Sequence, residues 1–284
     1  MKAAFFERGF LHFTAHLLSN DQHHHLTEES FLLSRFVVGY QTKDINCTDP
    51  EMPDVYNMLS VPFAGVDGGT IPVTSLQFTN VVRGDGPQDC DFIQIWNGEG
   101  GFNNYYCYTD DGEWYNCDSD EPLVDDYADG IPAGTAMWFL ALVAEREGAP
   151  TFTVSGAVEG SADVTFALNC EDAEMPDVYN MLGNPYPCTW SPNNADQCEI
   201  ANVARGDGPQ DCDFIQVWNG EGGFNNYYCY VDDGVWYNCD SDAELEDDYP
   251  DGIPAGTAMW YLALVTEREG DLTITFKNPL AVAE

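Results

Sequence analysis

The stretch "DFIQIWNG", residues 91–98, sets Ile93 and Ile95 against Phe92, Gln94 and Trp96. That period of two predicts a half-buried strand. "FNNYYCY" and "EWYNC" flank an Asp-Asp-Gly turn and read as a hairpin. "IPAGTAMWFLALV" opens with turn chemistry at Pro132-Ala133-Gly134. It runs on as an apolar segment too short for most helices and suited to a central strand. "TFTVSGAV", "DVTFAL" and "DLTITF" alternate in the same way. Turn signals about every 8–12 residues then predict an all-β chain of antiparallel strands, a sandwich or a barrel.

Nearly all of this pattern occurs twice. Arg83–Gly148 aligns with Arg205–Gly270 and differs at Ile95/Val217, Thr109/Val231, Glu113/Val235, Glu121/Ala243, Pro122/Glu244, Val124/Glu246, Ala128/Pro250, Phe139/Tyr261 and Ala144/Thr266. "EMPDVYNML" opens each copy, at Glu51 and Glu174. A 284-residue chain with such a repeat predicts two domains, each large enough to bury its own core. The expected division is a leader at 1–43, a first repeat at 44–168 and a second at 169–284. The expected fold is two tandem antiparallel β-sandwiches of jelly-roll or immunoglobulin-like type, related by a regular translation and rotation. Identity that extends to turns and surface positions points to a repeated surface rather than to one catalytic centre.

The leader differs in composition. It holds all five histidines, His12, His16, His23, His24 and His25, and four of the nine basic residues. Phe6, Phe10, Phe13 and Leu17 fall on one stripe of an amphipathic helix. "FLLSRFVVGY" reads as a strand, with Phe31, Leu33, Phe36, Val38 and Tyr40 as its assembly residues, that has to add to a sheet in its own chain or in another. No stretch is long and apolar enough to span a membrane, and no clean export signal is legible.

Charge narrows the partners. The net charge is −40, against which the repeats offer only Arg83, Arg146, Arg205, Arg268 and Lys277. A phosphate backbone would be repelled, so nucleic acid is excluded, and anionic membranes are disfavoured. Disorder is excluded by the 44% hydrophobic and 13% aromatic content.

Ten cysteines without a C-x₂-C pair, and without histidine in either repeat, suggest disulfides rather than zinc. A hairpin centred near Gly112 sets Cys107 opposite Cys117, and by the same logic Cys229 opposite Cys239. Cys188–Cys198 would close a local loop, leaving Cys47–Cys90 and Cys170–Cys212. Connectivity cannot be fixed from sequence, but the count favours an extracellular or cell-surface location.

"YNMLGNPYPCTW" (Tyr179–Trp190), "FIQVWNG" and "IPAGTAMWYLAL" together resemble a repeat domain of secreted bacterial surface proteins. There a GNPYP-like segment, an I-x-x-W-[DN]-G strand and an IPAGxAFW-like strand follow in that order. The first copy carries "SVPF" (Ser60–Phe63) where the second has "GNPY". The resemblance implies β-sandwich modules on large surface-attached proteins. It brings no catalytic residues.

Chemistry is sparse. Nucleophilic triads need a histidine, and H-E-x-x-H, Walker A and G-x-G-x-x-G are absent; the expectation is no enzyme. Asp118, Asp120, Asp125, Asp126 and Asp129, with Asp240, Asp242, Asp247, Asp248 and Asp251, crowd one edge of each copy at a density that suits calcium. A solvated acidic edge is the alternative. Arg-Gly-Asp occurs at Arg83 and at Arg205, most simply as a turn. Trp96, Tyr105, Tyr106, Trp114 and Tyr115 could stack on sugars or fill a core. The expected function is an extracellular structural protein, a self-assembling subunit of a filament, sheath or surface layer, adding copies head to tail with residues 31–40 as the linking strand. The alternative is a secreted carbohydrate-binding or calcium-dependent adhesin module whose two copies give avidity.

Overall fold

A computed structural model describes residues 37–49, 51–65, 69–98, 100–158, 162–172, 174–220 and 222–280. The first repeat contributes β1 (Val37–Asp44), β2 (Asp54–Ser60), β3 (Leu76–Thr79), β4 (Phe92–Trp96), β5 (Phe102–Cys107), β6 (Trp114–Asn116), β7 (Ala136–Leu142) and β8 (Thr151–Val158). A one-turn helix, α1 (Leu123–Asp126), drops Leu123 into the core. The second repeat contributes β9 (Val164–Ala167), β10 (Asp177–Gly183), β11 (Cys198–Ala201), β12 (Phe214–Trp218), β13 (Phe224–Cys229), β14 (Trp236–Asn238), α2 (Leu245–Asp248), β15 (Ala258–Leu264) and β16 (Thr273–Phe276).

These strands form four small antiparallel sheets. Their orders are β1-β8-β3 and β2-β7-β4-β5-β6 in the first repeat, and β11-β16-β9 and β10-β15-β12-β13-β14 in the second. The sheets are arranged as a four-bladed β-propeller, which corrects the expected pair of tandem β-sandwiches. The physical reason lies in the core. Two tandem domains would each close around separate interiors, whereas one cluster of buried side chains runs from Ile45 through Phe139, Trp190 and Tyr261 to Phe276.

Alternation places the residues as the sequence pattern requires. In β4, Ile93 and Ile95 are fully buried while Phe92, Gln94 and Trp96 are half-buried. β7 lies between β2 and β4 and is apolar on both faces. Met137, Phe139 and Ala141 face the main core, where Phe139 stacks on Phe78 at 5.4 Å between ring centroids. Ala136 and Trp138, on the other face, pack against the second repeat. That second burial is why the segment reads as a continuous apolar run rather than a half-polar strand.

Each repeat is pinned by one buried ion pair. The Asp91 carboxylate, fully excluded from solvent, accepts from Arg146 Nη2 at 2.6 Å and Nη1 at 2.7 Å, and from the backbone amides of Val82 and Leu142 at 2.9 Å each. Asp213 and Arg268 repeat the arrangement, with amides from Ala204 and Leu264. There Tyr261 adds a hydroxyl donor at 2.7 Å, which its counterpart Phe139 lacks. Asn80 and Asn202 adopt left-handed φ values of 53° and 60°, and their carbonyls accept from the same guanidiniums.

β1 adds to a sheet in its own chain, one of the two outcomes expected for this strand, and forms the edge of that sheet. It is already paired along all eight residues with β8 of its own chain, Val38 opposite Ala157 and Tyr40 opposite Ser155. Phe31, Leu33 and Phe36, and the expected amphipathic stripe at Phe6–Leu17, lie outside the described residues. Val38 and Tyr40 are exposed, at 57% and 73%. β9, which precedes the expected boundary at 168/169, pairs with β16 of the second repeat.

Candidate functional site

The two repeats meet face to face through their five-stranded sheets. Trp96 packs edge-on against Trp260 at 5.2 Å, and Trp138 against Trp218 at 5.1 Å. Because Trp96 corresponds to Trp218 and Trp138 to Trp260, these are one contact made twice. Phe102–Trp260 and Trp138–Phe224, both at 6.1 Å, repeat the relation. Met58, Ala136, Met181 and Ala258 fill the centre. The backbone follows the same rule: Ser60 N–H donates to Gly256 O at 3.1 Å, and Gly183 N–H donates to Gly134 O at 3.0 Å. Each contact and its mirror image are present, which is a local two-fold relation and not the expected regular translation along a tandem array.

Lys43 sits at the margin of this face. Its ammonium donates to the carbonyls of Met58 (3.5 Å) and Gly256 (3.3 Å), one from each repeat. Burial lowers its pKa to about 8, because taking the cation out of water is not offset by a carboxylate. Gln41 Nε2 likewise crosses to Ala255 O at 2.8 Å.

A tyrosine cluster lies on the same face of each five-stranded sheet, toward its β6 or β14 edge. Tyr108 is edge-on to Tyr106 (6.4 Å) and to Tyr115 (5.7 Å). The Tyr115 hydroxyl donates to Asp111 Oδ2 at 2.9 Å, and that hydrogen bond is the main reason its pKa is raised. Asp111 is held low, first by accepting from the Glu113 amide. The second repeat rebuilds the cluster with Tyr228, Tyr230, Tyr237 and Asp233. Tyr237 is pushed up to about 12 by its hydrogen bond to Asp233.

The aromatic platform expected from sequence is therefore divided. Tyr105 is a fully buried core residue, Trp114 packs on Phe78, Trp96 belongs to the inter-repeat face, and only Tyr106 and Tyr115 share the outer cluster. Tyr108, which completes that cluster, was not singled out. The period of two carries the missing signal, since residues 106 and 108 point the same way.

The Arg-Gly-Asp segments are not at loop tips. Gly84 is buried, bridged to Tyr108, and a Cβ there would meet Asp89 O at 2.8 Å. Arg83 lies over Gly112, whose φ of +76° and lack of a side chain admit the guanidinium.

The acidic edge does not converge on a cation. Asp118, Asp120, Asp125, Asp126, Asp129, Asp240, Asp242, Asp247, Asp248 and Asp251 are all exposed. Among the described residues no group of three or more His, Cys, Asp or Glu side chains is placed to hold a metal ion. Asp126 instead accepts from Tyr105 Oη at 2.8 Å and Asn116 Nδ2 at 2.7 Å, and Asp248 does the same for Tyr227 and Asn238. These two carboxylates hold α1 and α2 against their sheets.

All ten cysteines are free thiols, so Cys107–Cys117, Cys229–Cys239, Cys188–Cys198, Cys47–Cys90 and Cys170–Cys212 are not bonded. The strand register explains the hairpin pairs. Cys107 is opposite Trp114, and Cys229 is opposite Trp236. Cys117 bonds at the level of Asn104, three residues out of step, or about 10 Å along a strand. That offset exceeds disulfide reach. Cys90 donates to Gly86 O within its own loop. Burial pushes Cys107 and Cys229 each up to about 12. Cys47 lines an open groove of about 650 Å³ beside Arg146 and Ala149.

No protein-family model, no curated protein and no solved structure matches the chain. No helix among the described residues is long and apolar enough to cross a membrane.

Proposed function

We propose that this chain is a non-catalytic structural protein of the cell exterior that assembles with copies of itself. One observation carries the reading: a repeat of this chain already recognises another repeat, through a self-complementary face of four tryptophans whose partners are identical in both copies. A face that binds its own duplicate is the minimum equipment of a homopolymer, provided it engages between chains as well as within one. The resemblance of the GNPYP and IPAGTAMW segments to repeats of secreted surface proteins supports the exterior location. The cysteines no longer do, being free. An acidic surface would keep assembled fibres apart until cations screened it.

Sedimentation velocity on the full chain over a wide concentration range, with negative-stain micrographs of the concentrated samples, tests the proposal. Species of two or more chains growing with concentration, and then extended particles, are expected. A single monomeric boundary at every concentration and ionic strength refutes it.

A second reading, a bivalent glycan-binding module, is favoured by the duplicated tyrosine clusters. Tyr106, Tyr108 and Tyr115 offer ring faces beside the Asp111 carboxylate, and so do Tyr228, Tyr230 and Tyr237 beside Asp233. Glycan-array binding lost in a Tyr108→Ala/Tyr230→Ala variant would establish it. An unchanged or blank array would remove it.

A further inference from the structure

The face between the repeats is the same on both sides except at its centre and at the margin where Gln41 and Lys43 cross. Trp96, Trp138, Phe102, Met58 and Ala136 share one cluster with their counterparts Trp218, Trp260, Phe224, Met181 and Ala258, Trp96 meeting Trp260 and Trp138 meeting Trp218. Position 60 breaks the identity: the duplicated block Glu51–Leu59 and Glu174–Leu182 is followed by serine in the first repeat and by glycine in the second. These two residues touch across the local two-fold axis. A Cβ on Gly183 would lie 2.2 Å from Ser60 Cβ and 2.4 Å from Ser60 Oγ. A β-carbon already occupies the only space, and there is no room for a second.

Ser60 gives nothing back in stability. It is fully buried, and its hydroxyl has no hydrogen-bond partner, an unfavourable state for a polar atom. Its neighbours are rigid backbone and packed side chains. What it does is occupy the axis.

We propose that the Ser60–Gly183 match makes the docking selective: a first repeat accepts a second repeat, its own or that of another copy, and refuses another first repeat. Placing a first repeat where the second sits would bring two serine β-carbons to the separation that Gly183 avoids, and such overpacking in a filled interior is destabilising. The four tryptophans cannot discriminate, because they are duplicated; away from the axis the face differs only at its margin, where Gln41 and Lys43 reach Ala255 and Gly256 while Phe166 lies against Gly134. The selectivity is one-sided. Two serines clash on the axis and two glycines do not, so first-to-first contacts between chains are excluded and every contact between chains uses at least one second repeat. This last step rests on the self-assembly reading; the axis match does not.

The test uses the full chain in four forms: wild type, Gly183→Ser, Ser60→Gly, and the exchange Ser60→Gly/Gly183→Ser. Docking inside the chain is read from the near-ultraviolet circular dichroism of the edge-on tryptophan pairs and from the small-angle scattering radius. Docking between chains is read by refolding two differently tagged preparations together at high concentration and capturing one tag. Gly183→Ser is expected to lose the tryptophan signal, to widen the molecule and to reduce cross-capture about tenfold or more. The exchange variant is expected to restore both. Ser60→Gly keeps the tryptophan signal. Wild-type behaviour in Gly183→Ser, or an exchange variant that fails to recover, overturns the proposal. If Gly183→Ser does not fold, the exchange variant decides alone. If docking within the chain follows the four forms while wild type shows no cross-capture at any concentration, the axis match is supported and the self-assembly reading falls.

Discussion

Replacing Arg268 by Met should cost less than replacing Arg146 by Met, although the two arginines are equivalent in sequence and almost equally buried, at 6% and 4% side-chain exposure. Removing one member of a buried ion pair strands the other, at a cost of about 3–5 kcal/mol. The stranded carboxylates are not equally supported. Asp91 keeps two donors, the amides of Val82 and Leu142. Asp213 keeps three, the amides of Ala204 and Leu264 and the Tyr261 hydroxyl at 2.7 Å. A hydrogen bond to a charged group contributes about 1.5–3 kcal/mol, so the difference between the two substitutions should be about that size. Urea denaturation of the full chain followed by tryptophan fluorescence measures it, provided the slope of the transition is unchanged between variants. A control is built in. Tyr261→Phe recreates the first repeat's chemistry, so Tyr261→Phe/Arg268→Met should fall to the level of Arg146→Met. Equal costs for the two single arginine substitutions, or a double variant no worse than Arg268→Met, would refute the argument.

Lys43 has a folded pKa of about 8 against an ordinary 10.5, so the unfolded chain holds that proton more tightly. Its burial penalty, up to about 3 kcal/mol, is full below pH 8 and is relieved as pH rises toward 10.5. Lys43→Met should therefore be more stable than wild type at pH 7, and the gain should shrink by pH 9.5 in thermal melts at both values. Gly134→Ala and Gly98→Ala both place a side chain at left-handed φ, 80° and 78°, but the first meets Phe166 at 2.4 Å and the second meets open space. The first should cost at least about 1 kcal/mol more in the same urea assay. Without reductant, thiol titration of the unfolded chain should count ten free cysteines, and in the native protein Cys90, Cys107, Cys198, Cys212 and Cys229 should react last. Fewer than ten thiols on unfolding would restore disulfides to the protein.

The strands were legible because alternation is local. Ile93 and Ile95 declare their burial within five residues, and the turn glycines at 112 and 234 mark the hairpins they close. Pairing is not local. The expectation that Cys107 faces Cys117 assumed a loop symmetric about Gly112. The ladder instead centres between Asp110 and Asp111, and a shift of that size sends each cysteine to a different neighbour. The four-sheet arrangement was hidden for a related reason. Trp96, Trp138, Trp218 and Trp260 alternate onto the face that a single repeat would turn to water, and nothing within one repeat says that the other repeat covers it. Only the apolarity of both faces of β7 and β15 hinted at a second burial.

That covered face changes the meaning of the duplication. A translation-related pair would leave one copy of each surface free at either end, and identity between copies would serve an open array. A two-fold pair uses the same surface twice and closes it, so an interface substitution made in both repeats alters the contact twice, and on the axis it meets its own counterpart. All nine differences between Arg83–Gly148 and Arg205–Gly270 fall off the tryptophan-lined face, the Phe139/Tyr261 change at the ion pair among them. The tolerated differences accumulate where the repeats do not touch. The one asymmetric contact on the axis, Ser60 against Gly183, is where two serines would be sterically forbidden. Sequence identity and its single exception thus follow from one geometric fact: two copies of a surface packed against each other have room for one β-carbon at their common centre.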